Sequence, residues 1–434
     1  MDNSPSDKKL TAKDKIWLES YSDGVPAEID PNVNQSIVEM FDESVRKYAN
    51  HPALENMGMC YTYRQLSDKA EDFAAYLQKE LGLKHGDRLA IMMPNLLQYP
   101  IAIFGAMKAG LTIINVNPLY TKRELKHQLT DAAADAIIII SNFADTLEAI
   151  IEETSVKHVI LTNLGDALSP LKSNLVNFAV KYIKKLVPKF SLPNAVTYKQ
   201  VMKRGAELKL DPVELHHTDI AFLQYTGGTT GVAKGAVLTH RNIIANVEQS
   251  YAWLNNSVKE GEEIIITALP LYHIFSLTAN CMMFIKLGGK NVLITNPRDM
   301  PGFVKEMSKH AFTALTGVNT LFNGLLNTPG FSELDFSSFR FSLGGGMAVQ
   351  EAVAKKWEEV TGVTLLEAYG LTETSPGVSM NPTDLESYNG CIGLPISSTE
   401  ISIRDDDGNE VAQGESGELW VRGPQVMRGY LDRP

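Results

Sequence analysis

The chain has 434 residues, which at roughly 150 residues per domain allows about three domains. Apolar residues make up 44% and charged residues 21%, ordinary globular usage that excludes a disordered or fibrous chain. Lys and Arg number 40 against 51 Asp and Glu, a net charge of -11, which counts against nucleic acid as a partner, because such binders are basic. Cys60, Cys281 and Cys391 are far apart and form no CxxC pair. This pattern supports neither a disulfide framework nor a cysteine zinc site, and a cytoplasmic location is expected. The opening MDNSPSDKK is too polar for a signal peptide. The longest apolar run, Ile101 to Val116, carries Lys108 and falls short of the roughly 18 residues a membrane helix needs.

In chain order, residues 1–35 show no periodicity and read as a mobile or wrapping arm. Thr62 to Gln65 has capping-box spacing and opens an amphipathic helix to about Leu81. Arg88 to Met93 reads as a buried strand, Leu96 to Ala109 as a helix and Leu111 to Val116 as a strand. A second capping box, Thr121 to Glu124, starts a helix to about Thr130, and Ala136 to Ile140 is a β-branched strand. The pattern restarts after Asp219. Strands are expected at Ile220–Tyr225, Glu263–Ala268, Asn291–Thr295, Phe312–Thr316 and Arg340–Leu343, and helices at Asn242–Leu254 and from about Ser276. Such alternation predicts an α/β fold of two packed subdomains, 36–212 and 213–390, with mainly parallel sheets. From Cys391 the texture changes to short strands. Glu400–Arg404, Asp407-Gly408 and Glu418–Arg422 read as a hairpin, the start of a partial β-barrel over 391–434.

The segment 168–206 carries eight basic residues and no acidic one: Lys172, Lys181, Lys184, Lys185, Lys189, Lys199, Lys203 and Arg204. Leu171, Leu175, Phe178, Tyr182, Ile183 and Leu186 recur there at helical spacing, up to Pro188. This basic amphipathic helix has two readings. It is a solvated face, or it lies on an anionic membrane with its lysines at the headgroups.

The most informative stretch is YTGGTTGVAKGAVLTH, Tyr225 to His240. Gly227, Gly228 and Gly231 let backbone N–H groups approach an anion. Thr226, Thr229 and Thr230 offer hydroxyls, and Lys234 a point charge. These groups suit a polyphosphate. The spacing is not that of a Walker A loop, since Gly235 follows Lys234. On the residues alone, a plain hairpin turn remains open. Gly344–Gly346 could likewise be a strand-to-helix turn, and Tyr369 a core residue.

The stretch resembles the phosphate-loop signature of the adenylate-forming superfamily: acyl- and aryl-CoA ligases, peptide-synthetase adenylation domains and luciferases. Pro270-Leu-Tyr-His-Ile-Phe275 resembles its aromatic/His motif, and Gly344, Gly345, Gly346 with Met347 its adenine- and acyl-lining loop. Tyr369-Gly370-Leu-Thr372-Glu373-Thr resembles its adenine and magnesium motif, and Gly417-Glu-Leu-Trp-Val-Arg-Gly423 its barrel strand. The wording is most similar to bacterial long-chain fatty-acid–CoA ligases, and the resemblance runs from about Ser36 onward.

The resemblance implies attack of a fatty-acid carboxylate on ATP, giving acyl-adenylate and pyrophosphate, then transfer to CoA. Tyr225, Thr226, Thr229, Thr230, Lys234 and the loop glycines would hold the phosphates. Thr372 would donate to the α-phosphate, Tyr369 would stack on adenine beside Gly370, Glu373 would ligate Mg²⁺, and His273 would orient the carboxylate. Peripheral contact with the cytoplasmic side of the inner membrane is the corresponding expectation, and a homodimer is compatible. Family members continue into a small C-terminal domain, bearing a ribose-binding Asp and a catalytic Lys, which is absent here. The expectation is therefore a truncated ligase of low activity. An aryl- or medium-chain ligase and a non-catalytic ATP- or acyl-binding fragment remain alternatives. An amino-acid adenylation domain is disfavoured, because His273 and Ile274 stand where such domains carry Asp.

Overall fold

A computed structural model describes residues 15–226, 232–254 and 257–433. Two open sheets dominate it. The seven-stranded sheet has the order Val196–Thr197, His158–Thr162, Ala136–Ile140, Arg88–Met92, Thr112–Asn115, Ile220–Thr226 and Lys234–Thr239. Its strands are parallel except for the last pair, which is antiparallel. The nine-stranded sheet runs Leu394–Pro395, Gly377–Met380, Leu365–Gly370, Phe341–Gly344, Ala314–Gly317, Ile264–Thr267, Lys290–Leu293, Pro52–Asn56 and Met59–Thr62. It too is parallel in its interior and antiparallel at both edges.

Local chemistry explains most of the elements. Ala136–Ile140 is buried along its whole length, as a strand covered on both faces by helices must be. Both capping boxes form: Thr62 and Thr121 accept from the N–H of Gln65 and Glu124, whose side chains reach back to the cap N–H. Gln98–Lys108 is buried on every side except at Lys108, between the helix Tyr63–Lys79 and the strands of the first sheet. Such a helix is apolar all round because protein surrounds it. Among the described residues no helix is long and apolar enough to cross a membrane.

Three expectations need correction. The sheets exchange strands across the anticipated boundary at 212/213. The hairpin Pro52–Thr62 joins the nine-stranded sheet, pairing parallel with Lys290–Leu293, while Ile220–Thr239 completes the seven-stranded sheet. Pairing over such separations leaves no local signal, which is why a linear partition misses it. Second, 391–433 is not a run of barrel strands. Leu394–Pro395 extends the large sheet, while Glu400–Arg404 pairs antiparallel with Glu418–Arg422, as the hairpin reading expects, in a two-stranded ribbon. Asp407-Gly408 sits in a small turn held by Asp405, and the connection continues to residue 417. Third, the basic helix expected up to Pro188 ends at Ile183. Pro170–Phe178 continues into a π-helical turn, Ala179–Ile183. The separate helix Tyr198–Gly205 packs on Tyr63–Lys79, with Arg204 paired to Glu80 and Lys199 to Asp166.

The arm wraps onto the body from Lys15 onward. Tyr21 donates to the Pro395 carbonyl, and Ser398 N–H donates to the Ala27 carbonyl at 2.9 Å. Residues 1–14 lie outside the described residues.

Candidate active site

The motif residues sit where parallel strands end. Thr226, Thr267, Gly344 and Gly370 are the last residues of their strands, and in open α/β sheets ligands bind outside the carboxyl ends of strands. Thr226 pairs with Lys234 across an antiparallel ladder, so the glycine-rich segment 227–233 joins two strands of the first sheet. Gly227, Gly228, Thr229, Thr230 and Gly231 lie outside the described residues. Lys234 is exposed, with Nζ 5.2 Å from the centre of the Tyr430 ring. Tyr225 is buried. Its hydroxyl donates to Asp131 at 2.6 Å, and burial followed by that bond raises its pKa well above the usual value. The Tyr225 side chain thus braces the strand from inside.

Glu373 lies in the short 3₁₀ turn Thr372–Thr374. Tyr430 donates to Glu373 Oε1 at 2.6 Å, and Met427 N–H donates to the Glu373 carbonyl at 2.7 Å. Burial and that carboxylate push the Tyr430 phenol up to about 12, so it is a firm donor at neutral pH. Residues 427–431 lie along Lys234–Thr239: Arg428 N–H donates to the Val237 carbonyl, Val237 N–H to the Gly429 carbonyl and Leu431 N–H to the Gly235 carbonyl. Tyr430 is therefore wedged between Lys234 and Glu373. The sequence reading passed over it; its one signal is an aromatic in an otherwise polar terminal stretch.

His273 caps a short helix, its Nδ1 accepting from Phe275 N–H at 3.3 Å. The ring edge is open to solvent, while the protein packed around its base disfavours the cation and lowers its pKa. Neutral imidazole is therefore favoured at pH 7. Phe275 meets the Gly344–Gly346 loop. A β-carbon on Gly345 would stand 3.0 Å from the Phe275 ring, so any larger residue there would push the ring back by a few tenths of an ångström. Gly370 is more tightly constrained, since a β-carbon there would lie 2.0 Å from the Pro376 carbonyl. Tyr369 pairs with Ser379 in the ladder and is half-buried.

A buried polar chain joins the two sheets at this point. Tyr99 Oη donates to Asn115 Oδ1, Asn115 Nδ2 to Gln224 Oε1, and Gln224 Nε2 to the Tyr272 carbonyl. Asn95 reaches across as well, donating to the Thr267 and Leu269 carbonyls and accepting from Leu271 N–H. Glu367, buried behind the glycine loop, accepts from Val349 N–H at 2.8 Å. These residues also escaped the sequence reading. Gln224 and Asn115 stand in apolar strands, and a polar residue in such a run signals a buried partner.

Beside Tyr272 opens an apolar cavity of about 880 Å³. Leu119, Phe143, Val176, Val180 and Leu186 are among its lining residues. The last three belong to the basic helical segment, so that element roofs the cavity. Its outer side bares Leu171, Leu175, Phe178, Tyr182 and Ile183, each more than half exposed.

Comparison with known proteins fits this arrangement. A family model described as AMP-binding enzyme matches residues 41–431. A long-chain-fatty-acid–CoA ligase of Yersinia pestis is 59% identical over 421 residues, which are 97% of this chain and 75% of that protein. One from Bacillus subtilis is 35% identical, over 97% of this chain and 74% of the other. Among solved structures, a long-chain-fatty-acid-CoA ligase from Archaeoglobus fulgidus superposes with a TM-score of 0.79 at 23% identity, covering 95% of this chain and 79% of that one. An anthranilate CoA ligase in complex with anthranoyl-AMP gives 0.79 at 20% identity, covering 94% and 72%. At those identities the structural likeness speaks for the mainly parallel α/β fold. By its family match and its sequence relatives, the chain belongs to the AMP-binding enzyme family.

Proposed function

We propose that this chain binds ATP and a long-chain fatty acid, and activates the acid as an acyl-adenylate for thioester formation with CoA. The observation that carries this reading is the convergence of Lys234, Tyr430 and Glu373 at strand ends, with an apolar cavity of about 880 Å³ opening next to the His273 motif. That volume is at the upper end of ordinary ligand pockets, roughly 300–1,000 Å³, and suits a long alkyl chain better than a single aromatic ring.

Lys234 and the Thr226 hydroxyl, with Thr229 and Thr230, would hold the β- and γ-phosphates through the loop's backbone N–H groups. Thr372 would donate to the α-phosphate, and Tyr369 would stack on adenine against the glycine loop. Neutral His273 can donate a hydrogen bond that orients the carboxylate without pairing with it as a cation. Adenylation transfers no proton. The carboxylate oxygen bonds to the α-phosphorus as the bond to the β-phosphate oxygen breaks, and pyrophosphate leaves. Placement and charge neutralisation therefore carry the rate.

Glu373 is one carboxylate whose Oε1 is held by Tyr430, leaving Oε2 as the proposed ligand. Mg²⁺ is held by one or two carboxylates plus substrate phosphates, so this donor fits. When bound, the ion would offset phosphate charge.

The roof of the cavity is proposed to rest on an anionic membrane. Its exposed apolar residues would enter the headgroup boundary, with Lys181, Lys184 and Lys185 supplying attraction. Equilibrium dialysis of labelled acids from acetate to stearate, with MgATP present, tests the substrate class. Affinity should rise with chain length, by up to about 0.8 kcal/mol per buried methylene, until the cavity is full. A flat dependence refutes the long-chain reading, and trapping of radiolabelled acyl-adenylate separates a catalyst from a binder.

A further inference from the structure

Apart from the motif residues, Glu55, Glu306 and His310 bring three ligand atoms within 4.8 Å of one another. Glu55 lies on the strand Pro52–Asn56, in parallel register with Val292. Glu306 is in the helix Met300–Met307, and His310 follows in the turn closed by its N–H on the Met307 carbonyl. A four-residue spacing puts both on one face. His310 Nε2 stands 3.6 Å from Glu306 Oε1 and 3.8 Å from Glu55 Oε1, too far for a hydrogen bond. The other carboxylate oxygens are occupied. Lys290 holds Glu55 Oε2 at 2.9 Å, and Lys309 holds Glu306 Oε2. The two lysines thereby aim both Oε1 atoms at the imidazole.

Glu306 Oε1 and His310 Nε2 are buried and have no hydrogen-bond partner, and the His310 side chain is only 6% exposed. An unsatisfied buried polar atom costs about 1–3 kcal/mol, so two facing one another ask for a shared partner. We propose that Glu55, Glu306 and His310 form a binding site for a divalent transition-metal ion of the zinc class. Bonds of about 2.0–2.2 Å to an ion in tetrahedral geometry place ligand atoms roughly 3.3–3.5 Å apart, within a few tenths of the two His310 spacings, while the two carboxylates lie within 4.8 Å of each other and would close in on the ion. One imidazole among two carboxylates favours zinc over magnesium or calcium, which prefer all-oxygen ligands. The lysine charges beside the carboxylates weaken the affinity for a cation. Glu306 also lines the apolar cavity, so the ion would clamp the hairpin Pro52–Thr62 to a helix in the cavity wall.

The test uses the whole chain, stripped with chelator and titrated with Zn²⁺ by calorimetry and with Co²⁺ by visible absorption. The wild type is expected to bind one ion with a tetrahedral cobalt spectrum and to gain thermal stability. Glu306→Gln and His310→Gln should each weaken binding at least tenfold and abolish the stability gain, while Glu373→Gln keeps both. Glu55→Gln, which preserves size, provides a third ligand variant should another fail to fold. Absence of the cobalt spectrum in the wild type, or unchanged binding in folded ligand variants, overturns the proposal.

Discussion

Lys234→Ala separates a role in holding phosphate from a role in holding the fold. In the folded chain Lys234 is exposed, and its ammonium lies 5.2 Å from the Tyr430 ring. An exposed cation–ring contact contributes about 0.5–1 kcal/mol, which sets the expected loss of stability. Against a polyphosphate the same group makes a charge-assisted hydrogen bond of about 1.5–3 kcal/mol. That loss converts to roughly a 10- to 150-fold weaker ATP affinity. Bare Coulomb attraction at 4 Å and an effective dielectric of 20 is about 4 kcal/mol, a ceiling that solvent at this open position reduces. Calorimetric titration with ATP at fixed Mg²⁺ reads the affinity, and urea unfolding reads the stability. Lys234→Arg should recover part of the affinity, and the difference between wild type and Lys234→Ala should shrink at high salt. ATP affinity within twofold of wild type, or a stability loss above about 2 kcal/mol in place of an affinity loss, would refute the assignment.

Tyr430→Phe keeps the ring beneath Lys234 and removes the bond to Glu373 Oε1, so the Mg²⁺ dependence of ATP binding should weaken several-fold while metal-free ATP binding changes little; equal losses in both would show a general packing role. His240 is buried, with Nδ1 accepting from Ile37 N–H at 3.1 Å, and burial lowers its pKa to about 4. The unfolded chain, with an ordinary value near 6.5, binds the proton first, so stability is lost as pH falls from about 6.5 towards 4. At 1.36 kcal/mol per unit the loss is on the order of 3 kcal/mol. Urea midpoints between pH 7 and 4 should fall less steeply in His240→Asn, and an identical slope would exclude His240 as the source. Changing Lys181, Lys184 and Lys185 together to Gln should remove about 1 kcal/mol of attraction per charge to an anionic bilayer; co-sedimentation with anionic vesicles equal to wild type would leave the helix as a solvated face.

The sequence made local features plain and hid those built from distant pairings. The capping boxes at Thr62 and Thr121, the strand of Ala136 and four isoleucines, and the helix ending at Leu254 are written in side-chain chemistry within a few residues. The hairpin Pro52–Thr62 is different. Its partner strand begins at Lys290, and no pattern in either segment names the other. The basic segment shows the same limit, because charge and spacing place residues on a helix yet cannot tell which helix is packed. Its first half bares Leu171 and Phe178, whereas Tyr198 and Val201 in the second half are buried. The motifs named Lys234, His273 and Glu373, and left unseen Tyr430, which touches Lys234 and Glu373, and Gln224, Asn95 and Glu367, which bind the main chain of neighbouring segments. Those act through contacts across the chain, and only the polarity of Gln224 and Asn115 inside apolar strands hinted at them.

The central claim is that the phosphate-loop residues and the apolar cavity are two ends of one site. A stable palmitoyl-adenylate analogue, with the phosphate replaced by sulfamate, spans both ends in a single molecule. Its affinity should exceed that of AMP and of palmitate by at least about 10²-fold, as intermediate analogues do, and an acetyl-adenylate analogue should lose most of that gain. Equal affinity for the palmitoyl and acetyl analogues, or no binding of either, would contradict the claim.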